Sequence, residues 1–145
     1  MRRKLLLGLC LWLLPLAAIA APTVAVQEAW ARATLPGQDV GAAYLTLQSA
    51  EDATLTGIAS PAADSIEIHT MSLHNGVMKM RRLKTLPLPA GKAVKLAPGG
   101  AHLMLFDLKQ PLKAGEQLTL HLQFADPKGR QTSQAIQVPV RDTSD

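Results

Sequence analysis

From Thr23 onward the apolar residues of this chain recur at every second position, and no helix-length stretch carries them at a three-to-four spacing. Val24, Val26 and Glu28 alternate with Ala25 and Gln27 ahead of Trp30, and Tyr44, Thr46 and Gln48 alternate with Leu45 and Leu47. Ile66 and Ile68 alternate with Glu67 and His69, and Leu118, Leu120, Leu122 and Phe124 with Thr119, His121 and Gln123; Ala135 to Val140 repeats the pattern. A period of two puts one residue set on each face of a half-buried strand. Turn signals punctuate these runs: Pro36-Gly37, Asn75-Gly76, Pro87 with Pro89-Ala90-Gly91, Pro98-Gly99-Gly100, Ala114-Gly115 and Asp126-Pro127-Lys128-Gly129. Seven or more short strands at that spacing predict an all-β, antiparallel sandwich or barrel. At 145 residues there is room for one such domain, and no internal repeat or linker divides it.

The N-terminus belongs to a different class of segment. Arg2, Arg3 and Lys4 precede an apolar run from Leu5 to Leu14, and the small residues Ala17-Ala18-Ile19-Ala20-Ala21 follow Pro15. A basic start, a short apolar centre and an A-x-A end describe a secretory signal peptide, with cleavage expected after Ala20. The stretch is short for a membrane span, and Leu9 before Cys10 is not the small residue that a lipid-attachment site needs, so no membrane anchor is expected after processing. The expected division is residues 1–20 as leader and 21–145 as one domain with a short polar tail from Asp142 to Asp145. Processing also changes the charge balance. The chain carries a formal +4, but removing three basic residues leaves 12 against 11, close to neutral, so nucleic-acid binding is not expected. The single Cys leaves with the leader, so the exported chain has neither thiol nor disulfide.

Four methionines remain, Met71, Met78, Met80 and Met104, and all lie between His69 and Met104. Methionine used as core filler would be scattered along all the strands. Asn75-Gly76 between two strand-like runs is a strong signal for a two-residue hairpin of type I′. With those two residues at its centre, His74 pairs with Val77, Leu73 with Met78 and Met71 with Met80. His69, Met71, Leu73, Met78, Met80 and Arg82 then share one face, with His69 diagonal to Met80. His102 and Met104 share a face on a later strand, so all converge if that strand end packs near the hairpin. Thioethers are soft, neutral donors that select Cu(I). Zinc would want thiolates or a His/carboxylate set, calcium clustered carboxylates, and a blue-copper centre a Cys, none of which this window offers. Met78 is equally a hydrophobic flank, and Met71 a reserve ligand or a shield for the others. His74 belongs to the turn and His121 to a polar strand side. The cations Lys79, Arg81, Arg82 and Lys84 are a solvated strand face or a docking rim for an acidic partner. No phosphate loop, HExxH helix or nucleophile elbow is present, so no enzymatic activity is expected.

Taken with their surroundings, these residues resemble the periplasmic copper chaperones usually called PCuAC. That family's hallmark is a His, ten residues, a Met, twenty-one residues, then His-x-Met, and His69, Met80, His102 and Met104 meet it without a gap. Ile68-His69-Thr70-Met71, Asn75-Gly76-Val77-Met78-Lys79-Met80, Pro98-Gly99-Gly100-Ala101-His102-Leu103-Met104, Ala29-Trp30-Ala31-Arg32-Ala33 and Gly41-Ala42-Ala43-Tyr44 are also similar to it. The resemblance implies a cupredoxin-like, Greek-key β-sandwich that holds one Cu(I) through His69, Met80, His102 and Met104; the strand faces add Met71 and Met78 as candidate auxiliary ligands, and a monomer is expected. It further implies a periplasmic home in a Gram-negative bacterium. The copper would pass to an acceptor such as cytochrome c oxidase subunit II or a Sco-type protein during oxidase assembly. Some relatives hold Cu(II) on a His- and Met-rich C-terminal extension; after His121 this chain has no His or Met. The alternatives are a copper storage or resistance protein and an exported interaction module that binds no metal.

Overall fold

The period-two segments form strands, and every turn signal except Pro87 falls in a connection between them. The computed structural model describes residues 23–142, so the expected leader, and the tail beyond Asp142, lie outside the described residues. Ten strands follow in chain order: β1 (Val24–Arg32), β2 (Gly41–Ser49), β3 (Ala53–Ala59), β4 (Ala63–His74), β5 (Val77–Leu83), β6 (Leu86–Leu88), β7 (Ala93–Leu96), β8 (His102–Leu108), β9 (Gln117–Ala125) and β10 (Gln131–Arg141). No helix occurs among the described residues. Their hydrogen-bonded order is β5-β4-β8-β2-β1-β10-β9-β3-β6, with β7 also paired to β2. The core lies between two halves of this order. Leu45, Leu47, Leu103 and Leu105 from β2 and β8 meet Leu55, Leu120, Leu122 and Phe124 from β3 and β9, each at most 1% exposed. This is a β-sandwich, one of the two architectures that the alternation predicts, and it is of the cupredoxin-like kind that the resemblance implies.

Two details depart from simple alternation. The pairing is not wholly antiparallel: β1 and β10 run parallel, with Ala31 opposite Val140 and Arg32 opposite Arg141, and this contact joins the two halves. In β1 the alternation also breaks at Glu28, whose φ is +52°. There the register steps from Gln27 opposite Thr46 to Trp30 opposite Tyr44, so one extra residue is inserted. A bulge of this kind exchanges the faces of everything beyond it. Val24 and Val26 therefore point inward before the bulge and Ala31 after it, while Trp30 and Arg32 join Tyr44 on the outer face. Pro87, which reads as a turn residue, instead sits in the three-residue strand β6 opposite Thr54. That strand closes one end of the order, where a residue lacking an N–H is tolerated.

Candidate metal centre

The hairpin of β4 and β5 has the register that Asn75-Gly76 dictates: His74 opposite Val77, Leu73 opposite Met78, Met71 opposite Met80 and His69 opposite Arg82. Asn75 and Gly76 both have positive φ, +49° and +76°, as a type I′ turn requires. On the other side of β4 lies β8, with His69 directly opposite His102 and Glu67 directly opposite Met104. Residues opposite one another in an antiparallel pair project to the same face. Glu67, His69, Met71, Met80, His102 and Met104 therefore share one face of three adjacent strands. It is the outer one, because Leu103 and Leu105, between and beyond them on β8, are fully buried in the core.

The approach to His102 is built by a loop. β7 and β8 pair with successive halves of the same edge of β2, and the chain crosses between them over Ala97–Ala101. The amide of Ala97 bonds to the carbonyl of Ala101 at 2.8 Å, and Gly99 has a φ of +81°. Pro98-Gly99-Gly100 is thus the sharp turn that delivers His102 to the sheet. With the 33–40 connection, this turn walls a cleft of about 350 Å³, lined among others by Arg32, Met71, Met80, His102 and Met104.

The two imidazoles are held differently. His102, 8% exposed, has its Nδ1 2.9 Å from the carbonyl oxygen of Gly100. A carbonyl only accepts, so Nδ1 carries the proton and Nε2 keeps a free lone pair. His69 has its Nε2 2.8 Å from Oε2 of Glu67, whose Oε1 accepts from Nη1 of Arg82 at 3.1 Å. The same reasoning leaves the lone pair of His69 on Nδ1, which is buried and has no hydrogen-bond partner. The two rings lie 5.9 Å apart, and Phe106 is 6.1 Å from His69. Met71 and Met104 are half-buried, whereas Met80 and Met78 are 52% and 50% exposed. Met78 stands toward the hairpin tip opposite Leu73, away from the cleft lining. His74 and His121 are both exposed, at the hairpin turn and on β9. Sequence reasoning passed over Glu67 as a site residue. The signal was present, since Glu67 precedes His69 by two positions on a strand and so shares its face.

These donors fit a soft, low-charge metal ion. A buried, unpartnered imidazole nitrogen is a polar atom that calls for an explanation, and a metal ligand supplies one. Among the described residues no group of three or more His, Cys, Asp or Glu could hold a metal ion, so a metal held on this face would have to draw on thioether sulfur.

A β-sandwich presenting imidazoles and thioethers on an open outer face defines a class: small cupredoxin-like domains with a soft-metal site. Comparison with known proteins narrows this. The family described as "Putative lipoprotein LpqE-like" matches residues 24–140. A curated relative, "Putative lipoprotein Lxx21020" of Leifsonia xyli subsp. xyli, is 35% identical over 125 residues, covering 86% of this chain and 73% of that protein. RP573 of Rickettsia prowazekii is 33% identical over 105 residues, which is 68% of this chain and 58% of that protein. The solution structure of the Cu(I) form of DR1885 from Deinococcus radiodurans is similar at 31% identity and a TM-score of 0.62, covering 88% of this chain and 84% of that one. The copper-bound PCuAC domain of PmoF2 shares the fold at 23% identity and a TM-score of 0.66, over 85% of this chain and 97% of that domain. The chain belongs to the LpqE-like family, of PCuAC type.

Proposed function

We propose that this protein is an exported Cu(I) carrier, with His69, Met80, His102 and Met104 as the copper ligands and Met71 as a neighbouring shield. The observation that carries the reading is the junction of β4, β5 and β8. There two imidazoles with free lone pairs and three thioethers share one outward face, and two of the thioethers, Met71 and Met104, are half-buried beside His102. Such a donor set is neutral, so loading and unloading Cu(I) displace few protons. The similarity to a protein solved in its Cu(I) form supports the same metal here. An acceptor takes the ion by exchanging ligands at the open face, starting with the half-exposed Met80. The protein is a carrier rather than an enzyme, delivering copper toward cytochrome c oxidase assembly through subunit II or a Sco-type protein. Among the described residues Lys79, Arg81 and Lys84 make no ion pair; Lys79 and Arg81 on the far face of the edge strand β5, with Lys84 just past its end, give that edge a positive charge for an acidic acceptor.

The test is a competition titration of the processed protein with Cu(I) and a chromogenic chelator, repeated for Met80→Leu and Met104→Leu. Weakened copper retention in both variants with intact folding is expected; undiminished retention in both refutes the ligand set. Export is checked separately by the intact mass of the protein recovered from the periplasm. The proposed leader predicts a chain beginning at Ala21 without lipid, and a lipid adduct on Cys10 would contradict it.

A further inference from the structure

The two histidines of the site look equivalent in the sequence, yet the structure holds them by opposite nitrogens. We infer that the copper ion is bound through Nδ1 of His69 and Nε2 of His102, and that Glu67, clamped by Arg82, is the positioning residue that makes His69 a Nδ1 ligand. The inference rests on the Cu(I) reading above and adds to it the ligating atoms and an outer-shell pair.

The argument is one of hydrogen-bond accounting. Nε2 of His69 lies 2.8 Å from a carboxylate oxygen, so it must donate, and a nitrogen that donates has no lone pair for a metal. Nδ1 is left as a buried acceptor with nothing to accept from. For His102 the roles are reversed, because Gly100 occupies Nδ1 at 2.9 Å. Glu67 is itself held: its second oxygen receives the Arg82 guanidinium at 3.1 Å, and Arg82 lies directly across the hairpin from His69. The Glu67 side chain is only 22% exposed, so water competes weakly for it. An imidazole that donates its outer N–H to a carboxylate has its tautomer and ring angle fixed and becomes a stronger donor at the other nitrogen. The chain from Arg82 through Glu67 to His69 therefore also ties β5, which carries Met80, to the ring on β4. The imidazole is thus oriented, and its strand tied to the one that carries Met80, before copper arrives, while the sulfur itself stays half-exposed.

The test is nitrogen-15 NMR of histidine-labelled full-length processed protein, without metal and loaded with Cu(I), which is diamagnetic. In the metal-free protein His69 is expected as the Nε2–H tautomer and His102 as the Nδ1–H tautomer. On loading, the resonance that shifts strongly should be Nδ1 in His69 and Nε2 in His102. A shift at Nε2 of His69 overturns the inference while leaving the copper reading standing. No shift at either ring overturns the copper reading, and the inference with it. Glu67→Gln provides the second arm. Its amide oxygen remains the natural acceptor for Arg82, which turns the NH2 toward Nε2 of His69 and favours the Nδ1–H tautomer. That variant should raise the Nδ1–H population of His69 and weaken Cu(I) retention about tenfold, with the backbone spectrum otherwise unchanged. Unaltered tautomer populations and affinity in Glu67→Gln remove Glu67 from the role. If that variant does not fold, the wild-type nitrogen assignment still decides the matter.

Discussion

Replacing Met80 by Leu separates packing from ligation, because the structure assigns this side chain almost no packing role. Leu and Met have similar volumes, and even in a core such a swap costs less than about 1.5 kcal/mol. Met80 is 52% exposed and lies on β5, where six of the seven residues are exposed, so the expected cost falls to about 0.5 kcal/mol or less. For a domain of this size that is a melting shift of about 2 °C in the metal-free protein. The copper-loaded protein should respond differently. Loss of an outer-shell partner weakens metal sites by about 10–100-fold, so loss of a donor should cost at least about tenfold in Cu(I) affinity. With free Cu(I) at a hundred times the wild-type Kd, binding stabilises the wild type by about 2.7 kcal/mol; a tenfold weaker site retains about 1.4 kcal/mol. The assay is a pair of thermal melts, with and without buffered Cu(I), alongside chelator competition. The two proteins should melt almost together without metal and clearly apart with it. A variant that melts early without copper yet binds it as tightly as wild type would show that Met80 is a packing residue, and would refute the reasoning.

Three further outcomes test the frame around the site. Gly76→Ala forces an L side chain to a φ of +76° with no atom within 4 Å of the new Cβ, so the cost is purely conformational. Urea denaturation should report a loss of about 1 kcal/mol. Leu105→Ala empties a fully buried position on the core face of β8 and should cost about 2–5 kcal/mol in the same assay, with copper affinity reduced only where unfolding competes. Asp126 supplies a pH signature remote from the metal. Burial alone would raise its pKa, but the backbone amide and guanidinium of Arg130 and the amide of Lys128 outweigh it, and its carboxyl is held below the ordinary carboxylate range. A depressed folded-state pKa means that its contribution is complete above about pH 4 and disappears as pH falls through the folded value. Wild-type stability should therefore drop more steeply than that of Asp126→Asn as pH falls below about 4, read from acid-dependent urea midpoints.

The hairpin shows why part of the site was legible in the sequence. A two-residue Asn-Gly turn fixes register by local geometry alone, so the pairing of Met71 with Met80 and the diagonal from His69 to Met80 follow from counting. The adjacency of β8 to β4 does not, because it depends on strand order, which period-two alternation leaves open. The bulge at Glu28 was hidden for a related reason. Its positive φ carries no glycine to announce it, and alternation continued through it would put Trp30 on the face of Val24. The parallel contact of β1 with β10 closes residues more than a hundred positions apart and has no local signature. Glu67 was visible as a residue but silent as a participant: period two gave its face, whereas its role depends on which imidazole nitrogen it occupies.

Under the proposed carrier function, the outer-face location would let one small domain combine rigidity with release. In β8 the alternation that sends Leu103 and Leu105 into the core sends His102 and Met104 outward, so the donors are anchored by the strand that forms the core but take no part in it. The deep end of the site is correspondingly stiff, with both histidines hydrogen-bonded, His102 8% exposed and the His69 side chain 12% exposed. The shallow end is Met80, on a strand at the end of the sheet order and paired on one side only. An incoming ligand therefore meets the least constrained donor first, and displacing it disturbs no core contact. Moving the four proposed donors to the inner face would exchange this gradient for burial. The ion would then be held by residues whose movement costs packing energy, which suits storage better than transfer.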